Sequence, residues 1–304
     1  MGNYFGRARL PVAVEDGPAN IVTFTLKELF EYTDGFDDKN FLGYGGFGSV
    51  YRGIIRGRKE RHFNGLQVAV KVSRNVEIKM RTQWEAEIKY LGEIRHPNII
   101  KLIGCCESVD KFYLVYPLMQ NGNVMSKLQD LDWASTIKIL TGTARAVGEL
   151  HAHSPPLIYR DLKPQNLLMD KDFTPKLADF GTVTAEGERL KLGTAGYTDP
   201  LVMTDGAVGS KPNDIYSLGV IILQMIMKER IVRFPGSSMQ VHISDWARSS
   251  YDIKGDAVNE KLKRKGCTKT AAKAITELGL DCVSDNPLER PTIAQVLERL
   301  AKLK

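Results

Sequence analysis

The spacing of apolar residues changes character along the chain. In the first third it is short-period: Leu66-Gln67-Val68-Ala69-Val70-Lys71-Val72 alternates as a half-buried strand does, and Phe112-Tyr113-Leu114-Val115-Tyr116 is a short apolar run of the length of a buried strand. Between them, residues 83–91 carry apolar side chains at three- and four-residue spacing, which predicts a helix. Upstream, Thr25 is followed three residues later by Glu28, with Leu26, Leu29 and Phe30 at helical spacing. That is the sequence signature of a reciprocally capped helix start, and the short helix is predicted to close at Gly35. From Asn123 onward helical periodicity dominates. It predicts a long helix over 134–151, a buried one over 218–227 and a last one over 293–303, with Pro175-Lys176-Leu177-Ala178 as a short strand among them. The 218–227 run contains Gln224 and is too short to cross a bilayer.

Chemistry enters with Tyr159-Arg160-Asp161-Leu162-Lys163-Pro164-Gln165-Asn166-Leu167-Leu168-Met169. A carboxylate, an ammonium and an amide stand at fixed offsets, stiffened by a proline and running into an apolar segment. Such a segment can hold a base against a hydroxyl, a cation against a phosphate and an oxygen ligand against a magnesium ion. Asp179-Phe180-Gly181 follows, and Gly43-Tyr44-Gly45-Gly46-Phe47-Gly48-Ser49-Val50-Tyr51 precedes it. Glycines let backbone N–H groups come close to phosphate oxygens. A dinucleotide-binding turn would have to open a helix, whereas Val50 and the residues after it read as a strand and hairpin, so that alternative falls. Lys71 ends an otherwise inward, apolar set, and a lone inward lysine would cost several kcal/mol without a partner. Of the carboxylates in the following helix, Glu87 shares the Tyr90/Leu91 face, while Glu85 reads as solvated.

In this order, the glycine-rich run, Val68-Ala69-Val70-Lys71, Asp161 to Asn166 and Asp179-Phe180-Gly181 resemble the eukaryotic protein kinases over nearly the whole chain, from about Phe24 to Leu303. The stretch Phe24-Thr25 to Leu42-Gly43, the Lys101-to-Cys106 segment and Tyr116 are similar to plant receptor-like cytoplasmic kinases of the Pelle-like and wall-associated-kinase-like group. The resemblance implies an α+β, two-lobed kinase fold: a leader over 1–22 expected to be mobile, a small β-rich N-lobe over 23–117 and a larger helical C-lobe over 118–304. It implies a serine/threonine kinase using ATP and Mg2+ on a protein substrate. Asp161 would be the base, with Lys163 on the migrating phosphoryl group. Lys71, held by Glu87, would lie on the α/β-phosphates, and Asn166 and Asp179 would be the metal ligands. The nucleotide would touch Leu42, Gly43, Tyr44, Gly45, Gly46, Phe47, Gly48, Ser49, Val50, Ala69, Lys71, Tyr116, Pro117, Met119 and Leu168. Gly193-Thr194-Ala195-Gly196-Tyr197 would face the substrate, and the aspartate of the segment from Lys211 to Gly219 would tether the catalytic-loop backbone.

Composition narrows the setting. A chain of 304 residues is long enough for two lobes sharing a cleft, and a charged fraction of 26% is ordinary for a globular protein. The formal charge of +6 sits largely in residues 56–61 and 261–265, which read as solvated faces; a peripheral contact with an anionic membrane is the rival reading. No aromatic residues interleave these clusters in the manner of a nucleic-acid surface. Four cysteines without metal-ligand spacing suit a reducing cytoplasm. His96, His151 and His153 read as structural. Gly2 is a candidate for acylation after loss of Met1, with Arg7 and Arg9 as a basic supplement, although Gly6 stands where Ser or Thr is usual. An upstream receptor or immune receptor is the partner the resemblance implies.

Two departures from the family pattern bear on activity. Tyr159 stands where a histidine is usual, but a planar ring there can still pack beneath Phe180. Leu201 stands where the family has a glutamate that pairs with the arginine matched here by Arg290. An Arg290 left without that carboxylate predicts a weakly active enzyme, or a kinase-shaped adaptor in an immune receptor complex. Arg290 would otherwise have to be exposed, re-paired with a carboxylate such as Asp285 or Glu289, or satisfied by backbone carbonyls. Thr182 and Thr184, with Arg189 and Lys191 nearby, are the hydroxyls expected to take a phosphate onto Arg160.

Overall fold

The structure is a computed structural model and describes residues 21–57, 63–188, 193–203, 208–229, 232–233 and 241–303. The leader up to residue 20 with Gly2, Arg7 and Arg9, the basic residues 58–61, and Arg189 and Lys191 lie outside the described residues. The chain divides into two compact units, one formed by Met1–Trp84 with Leu102–Leu118, the other by Glu85–Lys101 with Met119–Lys304.

The first unit is built on a six-stranded sheet. Its elements in chain order are β1 (Val22–Thr23), α1 (Leu26–Tyr32), β2 (Phe41–Tyr44), β3 (Gly48–Ile54), β4 (Gln67–Ser73), the start of α2 (Ile78–Glu93), β5 (Gly104–Glu107) and β6 (Phe112–Pro117). The strand order is β1-β5-β6-β4-β3-β2. All neighbours are antiparallel except β1, which runs parallel to β5. The capped start of α1 forms as its sequence predicts: the Thr25 hydroxyl accepts from the Glu28 N–H at 3.2 Å, and Glu28 accepts from the Thr25 N–H at 2.8 Å. The helix ends at Tyr32, before the predicted stop, and Gly35 closes the turn by donating its N–H to the Phe30 carbonyl at 2.7 Å. Phe24, Leu29 and Tyr32 enter the apolar cluster of the sheet with Ile55, Val68, Val70, Ile103, Cys106, Tyr113 and Val115. Full burial of each large side chain contributes about 1.5–3 kcal/mol. The helix predicted over 83–91 begins earlier, at Ile78: Ile78 itself is 86% exposed, but Met80 is buried and carries the apolar face one turn back from Trp84.

The second unit is mainly helical: the remainder of α2, α3 (Val124–Lys127), α4 (Trp133–Ala152), α5 (Lys211–Met227), α6 (Ile243–Lys254), α7 (Glu260–Arg264), α8 (Lys269–Cys282) and α9 (Ile293–Ala301). Six short strands pair among them: β7 (Leu157–Ile158) with β10 (Thr184–Ala185), β8 (Leu167–Met169) with β9 (Pro175–Leu177), and β11 (Val232–Arg233) with β12 (Val241–His242). Asp132 caps α4 by accepting from the Ser135 N–H at 2.8 Å, and this bond lowers the Asp132 pKa. Residues from Asp214 to Met227 of α5 are all buried, which accounts for its nearly unbroken apolar sequence. His96 is structural, accepting the Asn98 N–H at 3.1 Å, and the Asn98 side chain donates to the Pro175 carbonyl at 3.0 Å. No described helix is long and apolar enough to cross a membrane.

Candidate active site

In the first unit the glycine-rich residues form the turn between β2 and β3, the strand–turn–strand arrangement that its sequence predicts. The Gly45 N–H closes the turn on the Gly48 carbonyl at 2.8 Å. Gly48 cannot carry a side chain, since a Cβ there would lie 1.9 Å from the Val72 carbonyl oxygen. Phe47 is buried against Met80 and Phe112, whereas Tyr44 is exposed. Lys71 sits on β4 between Val50 of β3 and Leu114 of β6, and its ammonium lies 4.9 Å from the centre of the Phe47 ring. Ala69, two residues earlier on the same face, pairs with Tyr116 in β6, and Pro117 ends that strand. Leu42 and Val50 flank the turn on β2 and β3.

In the second unit Glu87 is fully buried on α2 and Glu85 is exposed, the division that helical spacing predicts. The segment from Tyr159 to Asn166 is fixed from below by Asp214 on α5. That carboxylate accepts the Tyr159 and Arg160 N–H groups at 2.9 Å each and contacts His151 Nε2 at 3.1 Å. Arg160 has a φ of 72°, so just past the two tethered amides the chain turns sharply at this residue into Asp161. Around Asp161 the polar groups gather closely. Lys163 Nζ donates to Oδ2 at 2.6 Å, Asn166 Nδ2 donates to the same oxygen at 3.2 Å and to the backbone carbonyl at 3.0 Å, and the Thr194 hydroxyl donates to Oδ1 at 2.6 Å. Lys163 also donates to Thr194 Oγ1 at 2.8 Å. An alcohol thus rests on the carboxylate with an ammonium against its oxygen. This is the arrangement needed to orient a hydroxyl nucleophile and neutralise charge arriving at it.

Asn166 turns its amide nitrogen to Asp161, which leaves the amide oxygen as its ligating atom. Asp179, with φ 64° and ψ 66°, follows β9 and brings an anionic oxygen donor. Two hard oxygen donors fit a magnesium ion that takes its other ligands from phosphates and water. Met119 and Leu168 both belong to this unit, Leu168 half-buried on β8.

Tyr159 is fully buried, packs edge to face on Phe180 with ring centres 5.6 Å apart, and donates its hydroxyl to the Ala178 carbonyl. Burial, then the carboxylates of Asp179 and Asp161, push its phenol well above the ordinary tyrosine range, so the hydroxyl stays a donor. The tyrosine therefore ties the catalytic segment to the residue preceding Asp179.

Two expectations need correction. Arg290 does not wait for a glutamate at 201. It forms a buried ion pair with Asp199, and its guanidinium also donates to the Ser284 carbonyl at 2.8 Å and the Pro212 carbonyl at 3.0 Å. Asp199 further accepts from Asn213 Nδ2 at 2.9 Å and from the Leu201 N–H at 3.1 Å, while Leu201 is 47% exposed. Neither Asp285 nor Glu289 is the substitute carboxylate. The sequence signal for this pair is a carboxylate two residues before Leu201 in the same tight turn, whereas the family register points to position 201 alone. Nor are Thr182 and Thr184 presented for phosphorylation. The Thr182 hydroxyl donates to the Tyr159 carbonyl at 3.1 Å, and Thr184 is buried in β10.

Comparison with known proteins agrees with this geometry. The protein kinase domain family matches residues 36–300. Similar proteins include two from Arabidopsis thaliana. One, named Probable serine/threonine-protein kinase PBL8, is 35% identical over 94% of this chain and 73% of its own length. The other, named Probable serine/threonine-protein kinase PBL15, is 34% identical over 94% of this chain and 70% of its own. A third, the EPD1-interacting receptor-like cytoplasmic serine/threonine-protein kinase of Nicotiana benthamiana, is 34% identical over 93% of this chain and 64% of its own.

Proposed function

Because the chain belongs to the protein kinase family, within its receptor-like cytoplasmic serine/threonine branch, we infer that it transfers the γ-phosphoryl group of Mg·ATP to serine and threonine hydroxyls of a protein substrate through Asp161. The acceptor hydroxyl gives its proton to Asp161 as its oxygen bonds to the γ-phosphorus, and the bond from that phosphorus to the β-phosphate oxygen breaks, releasing ADP. Lys163 neutralises the migrating group. Lys71 and Glu87 together position the α/β-phosphates, and the backbone of the glycine-rich turn cradles them. Asn166 and Asp179 supply oxygen ligands; the metal, when bound, offsets phosphate charge and holds the phosphates in register. Ala69, Tyr116, Pro117, Met119 and Leu168 are assigned to the adenine. The observation that most supports this reading is the Thr194 hydroxyl held on Asp161 at 2.6 Å with Lys163 at 2.8 Å from the same oxygen, a stand-in for the acceptor alcohol.

Activity at a plant receptor or immune receptor belongs to the same proposal; one relative is named a receptor-like cytoplasmic kinase, and a cytoplasmic location fits it. Acylation of Gly2 would add a reversible membrane contact that one chain alone makes only marginal. The test is transfer of radiolabel from ATP to a generic protein acceptor by the purified chain, beside Asp161→Asn. Transfer by the wild type that falls at least 100-fold in the variant is expected. Equal signals from both would overturn the assignment, and none from either would favour the adaptor reading.

A further inference from the structure

The loop that carries Thr194 is held by a side chain far along the sequence that has no part among the reacting groups. Within residues 194–198 the Tyr197 N–H, the Thr198 N–H and the Thr198 hydroxyl all donate to the Thr194 carbonyl, at 3.0, 3.1 and 3.1 Å. The turn thus satisfies one carbonyl three times and directs the Gly196 carbonyl, at a residue with φ 87°, away from itself. His242 meets it: its Nε2 lies 2.9 Å from the Gly196 oxygen. The other ring nitrogen is engaged as the cap of α6, with Nδ1 2.8 Å from the Ser244 hydroxyl and accepting the Ser244 N–H at 3.4 Å. A nitrogen that accepts a backbone N–H carries its lone pair there, so the neutral ring has its proton on Nε2 and donates to Gly196.

We propose that His242 is a positioning residue for the substrate-facing loop, its imidazole anchoring the Gly196 carbonyl and thereby holding Thr194 on Asp161. The proposal rests on the reading of Asp161 as the base. Beyond Gly196 the segment has its own anchors: Tyr197 donates to Gln224 at 2.6 Å and accepts from Ser217 at 2.8 Å, and Asp199 is locked to Arg290. Those bonds fix the far end of the turn. The Gly196 contact lies between them and Thr194. One ring serves the helix with one nitrogen and the loop with the other, so the start of α6 sets where the loop stands.

The two nitrogens can be separated by substitution. Asparagine keeps a side-chain oxygen suited to capping α6 but is too short to reach Gly196. Glutamine carries an amide N–H to about the place of Nε2 and gives up the cap. In the full chain, His242→Asn is expected to keep a melting temperature close to wild type and a KM for ATP within twofold. Its kcat/KM for a protein acceptor should fall about tenfold, and the amides of Tyr197 and Thr198 should exchange about tenfold faster while those of α6 do not change. His242→Gln should melt lower yet recover acceptor kcat/KM to within about threefold of wild type. Wild-type exchange at Tyr197 and Thr198 in His242→Asn, or acceptor losses that follow melting temperature across both variants, would overturn the proposal. Asp161→Asn run in parallel separates the two readings. Its retention of full transfer would strike the assignment of Asp161, while the exchange rates judge His242 in either case.

Discussion

At Arg290 a guanidinium with almost no contact with water is surrounded by a carboxylate, two backbone carbonyls and the face of Tyr216, 5.0 Å from the guanidinium carbon to the ring centre. Removing the carboxylate from such a pair costs about 3–5 kcal/mol, since the surviving charge stays desolvated. Asp199→Ala is therefore expected to lower the unfolding free energy by about that much in urea titration and to reduce phosphoryl transfer, because the turn bearing Leu201 and Asn213 at the start of α5 share the same carboxylate. Leu201→Glu in the wild-type background should raise neither stability nor turnover, since Arg290 already has its partner. In Asp199→Ala the same change should recover part of the loss. An Asp199→Ala protein within about 1 kcal/mol of wild type would contradict this account of the pair.

Among elements, α1 is the instructive one, because it lies before the first residue of the family match at 36 and yet belongs to the folded unit. Leu29 has no exposed surface, and Phe24 and Tyr32 meet edge to face with ring centres 6.1 Å apart. Truncating a buried leucine typically costs about 2–5 kcal/mol, and loss of a threonine cap about 1 kcal/mol. Leu29→Ala should thus destabilise the protein severalfold more than Thr25→Ala, as read from denaturation midpoints at constant slope. Equal, small effects would mean that the helix is an appendage. Its existence was readable from Thr25 and Glu28, since a cap involves residues three apart. Its docking onto the sheet was not, because Leu29 names no partner.

On the scale of the whole molecule, a nucleotide and metal held as proposed would stabilise the folded chain by mass action. Mg·ATP is expected to raise the melting temperature more than ATP without metal. Lys71→Met should shrink that shift, and Asp179→Asn should remove its dependence on magnesium. Identical shifts with and without the metal would count against Asn166 and Asp179 as ligands.

Sequence alone determined what local spacing can express. The reciprocal cap at Thr25 and Glu28, the strand–turn–strand around Gly48, the burial of Glu87 beside an exposed Glu85 and the offsets from Asp161 to Asn166 all involve residues a few positions apart, where backbone geometry fixes which side chains share a face. The pairing of Arg290 with Asp199, 91 positions away, and the reach of His242 to Gly196, 46 away, were decided only by tertiary structure. A buried charge or an outward carbonyl must find a partner, but the chain does not record which of several candidates folding will bring within 3 Å. Near Arg290 the sequence offers Asp285 and Glu289, closer along the chain, and packing passes over both for a carboxylate in the turn that the arginine has to hold.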